Sequence, residues 1–224
     1  MEHGIALGAY INADEIEKTL NAGLPIDLYK YNVKANDKKL KLYFRKSNYA
    51  KRKSDIIKLV SKFKVSDNKI VDRHSDGPEP KYSAAILAGF LREMNLNSGN
   101  DFSFETVFSH ESKLDFLKKA INKGYHVYMY FVCIDDVRVN IERVKGRVLA
   151  GGHAVPAGKI RDRYPRVLEN LYPALKLSYK AYLFDNSENF REIARLNRDA
   201  KIHLTCKPHE LPNWFINSVY NKSV

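Results

Sequence analysis

Three spacings of apolar residues alternate along the chain, and each predicts a different kind of element. Tyr10 and Ile11, set between small residues, predict a strand over 9–12. Ile16 and Leu20 stand four apart and predict a helix over 14–22, which Gly23 stops. Leu40, Tyr43 and Phe44 have helical spacing and predict a short helix near 37–46. Ile57, Leu59, Phe63 and Val65 then alternate, Ser66-Asp67-Asn68 can turn, and Ile70 and Val71 resume, which predicts a β-hairpin. Gly77-Pro78-Glu79-Pro80 breaks the chain.

From Lys81 to about Ser187 helix and strand patterns alternate. Ile86, Phe90, Leu91 and Met94 share one face of a helix over 82–96, and Phe102–Glu105 reads as a short strand. Ser112 is placed to cap a helix running to Lys123 and stopped at Gly124. The run Tyr125–Ile134 is aromatic and β-branched with little polar relief, which predicts a central parallel strand buried on both faces. A helix over 136–150 ends at Gly151-Gly152. Pro156 suits the first turn of the next helix, which carries Ile160, Tyr164, Val167 and Leu171. Ala181–Phe184 is a further strand, Ile193–Leu196 and Lys201–Thr205 form a terminal hairpin, and a short helix surrounds Trp214. This βαβα order predicts an α/β domain with a mainly parallel sheet and helices on both faces.

Length and charge refine that picture. The 224 residues suit one domain, 1–224, with an elaborated insertion at 24–80 and a pair of helices at 136–172. No apolar run reaches the roughly 20 residues of a membrane span, and no leader pattern is seen, so no membrane partner is expected. Cys133 and Cys206 lack metal-ligand spacing, so no protein-held metal is expected and a reduced, cytoplasmic setting is the simplest reading. The net charge of +12 is concentrated: 13 of the 38 Lys/Arg and 2 of the 26 Asp/Glu lie between Lys30 and Lys64. The remaining 25 basic and 24 acidic residues nearly cancel. That segment reads either as a solvated insertion or as a patch for nucleic acid, an acidic protein or an anionic surface.

The segments Tyr10-Ile-Asn-Ala-Asp-Glu-Ile, Phe102-Ser-Phe-Glu-Thr-Val, Asn140-Ile-Glu-Arg-Val, Gly151-Gly-His-Ala-Val-Pro, Arg163-Tyr and Phe184-Asp-Asn-Ser occur in that order. As an ordered set they resemble the bacterial zeta-toxin-like family of P-loop kinases over about 9–22 and 82–205. The resemblance implies a P-loop kinase-like α/β fold, a three-layer parallel sheet with a helical lid at 136–172. It also implies transfer of phosphate from ATP·Mg²⁺ to a hydroxyl of a small molecule, a nucleotide-sugar in the toxin branch, with an antitoxin or other acidic protein as partner.

One part of that pattern is missing. No G-x-x-x-x-G-K-[ST] occurs in the sequence, so the first strand, the phosphate-cradling amides, the lysine and the Mg²⁺-binding hydroxyl have no counterpart. Gly152-His-Ala-Val-Pro-Ala-Gly158-Lys159 is no substitute: it has one residue too many between its glycines, and Ile160 replaces the hydroxyl. It makes better sense as a hinge. The expectation is a kinase read from a start downstream of its P-loop and inactive as written, with the neighbours of the absent strand left with open edges. The alternative is a non-catalytic binding protein on the same scaffold, acting through the basic 30–64 segment.

Candidate site residues follow from strand ends and from the resemblance. Asp14 lies just past a strand end, where ligands of open α/β sheets bind, and the resemblance implies that it is the catalytic base; it also suits a helix N-terminus without any catalytic role. Asn12, Glu105 and Thr106 are implied contacts to the substrate, with Asn12 equally able to cap and Glu105 able instead to help hold the Mg²⁺ shell or to be a solvated loop residue. Arg143 and Arg147 share a helical stripe, and with Arg161 they supply planar cations for the γ-phosphate. Asp185-Asn186-Ser187, directly after a strand, would line the nucleotide or form a turn. His110 and His153 read as packing or capping residues.

Overall fold

The computed structural model describes residues 7–46, 53–73, 78–152, 154–197 and 201–223. The chain divides into two compact units, Met1–Thr106 and Val107–Val224. The architecture is mixed α/β, with one parallel strand pair in each unit.

The first unit runs β1 (Ala9–Ile11), α1 (Ala13–Asn21), β2 (Ile26–Asp27), α2 (Asp37–Lys46), α3 (Lys53–Lys62), β3 (Phe63–Ser66), β4 (Lys69–Asp72), α4 (Pro80–Ser98) and β5 (Phe102–Phe104). β1 and β5 pair in parallel, Ala9 opposite Phe102 and Ile11 opposite Phe104. Gly8 makes that pairing possible. Its φ is +60°, and a methyl group there would stand 1.9 Å from the Asp101 carbonyl oxygen. Ile16, Leu40, Phe44, Ile86 and Phe90 close the core around β1 with essentially no exposure.

Several expectations meet the structure closely. α1 and α2 fall where the apolar spacing places them. The turn between β3 and β4 is Asp67-Asn68, both left-handed at φ 49° and 54°. That is the conformation a two-residue hairpin requires and that short polar side chains tolerate. The hairpin gains a third strand, β2, against β4. One expectation is corrected: residues 57–62 are helical, not extended. Leu59 and Phe63 are both fully buried while Ile57 is 61% exposed, so burial follows the i, i+4 step and not strict alternation. Of the predicted breaker, Gly77 lies outside the described residues, and Pro80 opens α4 as its first residue.

The second unit runs α5 (Ser112–Ile121), β6 (Tyr128–Cys133), α6 (Val137–Leu149), α7 (Ala157–Leu177), β7 (Lys180–Asp185), β8 (Arg191–Leu196), β9 (Ile202–Leu204) and α8 (Asn213–Phe215). α8 continues through a π turn, Ile216–Tyr220, into Asn221–Ser223. The sheet order is β6-β7-β8-β9, with β6 and β7 parallel and the remaining pairs antiparallel. The mainly parallel sheet expected from the helix–strand alternation is therefore a mixed one. Leu171 and Leu175 of α7, Leu183, Ile193, Trp214 and Phe215 form its core.

β6 is not a central strand buried on both faces. It ends the four-stranded sheet, and its side chains alternate: Phe131 and Cys133 are buried while Tyr130 and Val132 are each 51% exposed. Tyr130 stacks on Tyr182 of β7 at 4.9 Å. An all-apolar string hides this alternation, because a tyrosine ring can cover its neighbours and still meet water. Two caps also differ by one residue. Glu111, not Ser112, precedes α5, and Pro156 precedes α7 instead of lying in its first turn. Among the described residues no helix is long and apolar enough to cross a membrane.

Candidate functional site

The C-terminal end of the β1–β5 pair carries a linked set of polar side chains. Tyr10 and Asn12 project two residues apart, hence to the same side of the chain. The Asn12 side-chain oxygen accepts hydrogen bonds from the backbone amides of Asp14 (2.7 Å) and Glu15 (3.3 Å), which caps α1. Its side-chain nitrogen donates to the Tyr10 phenol oxygen at 2.8 Å and to Glu105 at 3.4 Å. The Tyr10 hydroxyl donates to the other Glu105 oxygen at 2.6 Å. That bond, more than any other contact, raises the phenol's pKa above its ordinary value.

Asn12 therefore does two things at once: it starts the helix that carries Asp14, and it ties that helix start to the end of β5. Asp14 sits in the first turn of α1, exposed, where the N-terminal dipole favours a carboxylate. Glu105 and Thr106 are exposed on the segment leaving β5. Water reaches all of these groups, and Glu15 beside them pairs with Lys30 at 3.6 Å. The cluster offers a hydroxyl, an amide and two carboxylates at one strand edge, a set suited to holding polyhydroxyl compounds and accepting a proton.

The C-terminal end of the β6–β7 pair is organised differently. Asp185 is 4% exposed, and its Oδ1 accepts from the Ser187 hydroxyl at 2.7 Å and the Trp214 indole N–H at 3.1 Å. Arg191 faces its other oxygen at 3.9 Å. Asp135 accepts from the Trp214 amide (2.7 Å) and from the backbone and side-chain nitrogens of Asn213 (3.1 and 2.8 Å). Its own amide donates to Ser187 at 2.9 Å. The Tyr164 hydroxyl donates to the Ile134 and Asp135 carbonyls at 2.7 and 3.1 Å, and burial raises its pKa. Burial likewise pushes the Cys133 thiol up to about 12.

Asp185 and Ser187 are thus engaged with the protein's own C-terminal segment. Asn186 donates its amide to the Cys133 carbonyl at 2.8 Å. Arg143 reaches this loop, donating to the Ser187 carbonyl at 3.4 Å. Arg147 and Arg161 are exposed on α6 and α7, and Gly152 folds back tightly enough to donate its amide to the Arg147 carbonyl. His110 accepts the Ser112 amide at 3.2 Å and meets its hydroxyl at 3.0 Å, a helix-start role. His153 lies outside the described residues.

Sequence reasoning missed Tyr10 and Asp135. The signal for Tyr10 was its two-residue offset from Asn12, and for Asp135 its place immediately after an apolar strand. Among the described residues no cluster of three or more His, Cys, Asp or Glu could hold a metal ion.

No protein-family model matches this sequence, and no solved structure does. An uncharacterized protein of Haemophilus influenzae is similar over 63 residues at 32% identity. The matched stretch covers 28% of this chain and 45% of that protein, so this chain spans less than half of the relative's length.

Proposed function

We propose that this chain is a phosphotransferase of the zeta-toxin-like kind, with the β1–β5 edge as its acceptor-binding end. The observation that carries the reading is the Tyr10–Asn12–Glu105 network at the C-terminal end of a parallel strand pair, with Asp14 in the first turn beyond it. Open α/β sheets bind ligands at that end. Asp14 would take the proton of the substrate hydroxyl, while Tyr10, Asn12, Glu105 and Thr106 hold its other hydroxyls.

ATP·Mg²⁺, when bound, supplies the transferable phosphoryl group. The residues present fit it only in part. Exposed oxygen donors stand at the β1–β5 edge, but the sequence lacks the amide cradle, lysine and hydroxyl that grip the phosphates. Three such charge-assisted contacts are worth roughly 1.5–3 kcal/mol each, so their loss weakens binding by more than about a thousandfold.

Calorimetry of ATP·Mg²⁺ binding, with an assay of phosphoryl transfer to nucleotide-sugars, tests this reading on the 224-residue chain. Weak ATP binding is expected, because the phosphate grip is missing, with slow transfer at high ATP concentration. Asp14→Asn should abolish that transfer with ATP affinity nearly unchanged. Micromolar ATP binding by the 224-residue chain would show that the phosphates are gripped elsewhere, and full activity of the Asp14→Asn variant would remove Asp14 from the mechanism.

A further inference from the structure

The basic segment of the first unit divides cleanly once its partners are assigned. Some of its lysines serve the fold. Lys62, 5% exposed, pairs with Asp72 at 3.5 Å and lies near the Pro78 carbonyl at 3.4 Å. Lys41 pairs with Asp37, and Lys30 with Glu15. Asp37 is also held by the Val65 amide at 3.2 Å, so the acidic residue of α2 is turned inward to the hairpin.

What remains on α2 is one-sided. Leu40 and Phe44 are fully buried, and Tyr43 packs edge-on against Phe90 at 5.5 Å and closes on Gly89. At 100° per residue, those three residues fix the inner face. Lys38, Lys39, Leu42, Arg45 and Lys46 then share the outer half. All five are exposed, and the four cations have no ion-pair partner among the described residues. From Lys38 to Lys46 this face runs about 12 Å along the helix axis.

Its composition discriminates among polyanionic partners. A membrane-surface helix turns its apolar face outward, whereas α2 buries Leu40 and Phe44 and leaves Leu42 as its one outward apolar side chain. A protein–protein hot spot is built on aromatic anchors and is depleted in lysine, the reverse of this face. A nucleic-acid backbone asks for little more than closely spaced, mobile cations. Over about 12 Å of axis a duplex presents roughly seven phosphate charges.

We infer that the outer face of α2 is a sequence-independent docking surface for a nucleic-acid backbone, contacted by Lys38, Lys39, Arg45 and Lys46. The inference stands apart from the phosphotransferase reading and uses none of its residues.

Fluorescence anisotropy of the full chain with labelled 20-mer duplex DNA and single-stranded RNA, titrated between 50 and 200 mM salt, tests it. Four phosphate contacts predict a slope of log affinity against log salt near −3.6 for duplex, about a hundredfold loss over that range. The K38Q/K39Q/R45Q/K46Q variant should lose most of that slope, and each half of it (K38Q/K39Q or R45Q/K46Q) about half. A charge-matched control, K18Q/K81Q/K159Q/K222Q, alters exposed lysines elsewhere and should keep the slope. Unchanged circular dichroism secures the comparison. Undetectable binding at 50 mM salt overturns the inference, as does an equal loss in the control. Binding to polyglutamate or anionic vesicles but not to either nucleic acid also overturns it.

Discussion

Each unit has a parallel strand pair with carboxylates at its C-terminal end, yet the two ends are in opposite states. In the first unit Asp14 and Glu105 are exposed, and Glu105 is bonded to Tyr10 and Asn12 in reach of water. In the second, Asp185 is buried and Asp135 partly so, and both hold the Asn213-Trp214 turn through several hydrogen bonds. Position at a strand end therefore does not by itself make a ligand site. What separates the two is whether water can compete for the carboxylate. Asp14 and Glu105 are exposed, so a ligand can displace what Glu105 holds, whereas the buried Asp185 is committed to keeping the C-terminal helix on the sheet.

The largest effect should come from Asp185→Ala. It strands the indole N–H of the buried Trp214, takes the acceptor from the half-buried Ser187 hydroxyl and leaves Arg191 without its counter-charge. Two lost bonds to a charged acceptor amount to about 3–6 kcal/mol. Trp214 is the single tryptophan of the chain, so its fluorescence reports this unit in urea unfolding. A loss under about 1 kcal/mol would mean that the buried carboxylate is not what seats the helix. Asp135→Ala comes next, at about 2 kcal/mol, because it removes an N-cap-like acceptor for α8 from a half-buried position.

Alkali should act on the same end of the sheet. The Cys133 thiol is pushed up to about 12 by burial, so it stays neutral in the fold where an unfolded thiol ionises near 9. A raised acidic pKa leaves stability untouched below the unfolded value and lowers it as pH climbs from 9 toward 12. By pH 10 the loss is about 1.4 kcal/mol. Cys133→Ser, compared with the parent at pH 8 and pH 10, should flatten that decline. Equal declines would mean that other groups set the alkaline limit.

The contrast between the ends was partly legible in the sequence. Asp14 and Glu105 were legible at the ends of short strands, the resemblance added Asn12, and the spacing of Leu40 and Phe44 placed α2. The bond joining Tyr10 to Glu105 crosses 95 residues and depends on β1 pairing with β5. No local pattern carries that pairing. The same holds for Asp135 and Trp214, 79 residues apart. Where local reading erred, two periods fitted the same residues, as at 57–62, or an apolar string concealed which side met water, as in β6.

The smallest effect sharpens the comparison from the other side. Glu105→Gln should leave stability within about 0.5 kcal/mol of the parent, because an exposed hydrogen bond competes with water and little is stranded when it weakens. The Trp214-monitored transition should not move at all. What should move is Tyr10. Its phenol is held above its ordinary pKa chiefly by the Glu105 bond, with burial and the charges of Glu105 and Glu15 adding to it, against the lowering pull of Asn12. An amide at 105 removes the carboxylate, so the Tyr10 hydroxyl should ionise at lower pH, closer to an ordinary tyrosine. Site-resolved NMR titration of the ring reads this directly. A stability loss comparable to that of Asp185→Ala would make Glu105 a structural anchor like its counterpart. An unmoved Tyr10 titration would mean that the bond does not persist in solution, and the proposed acceptor-binding network would lose its centre.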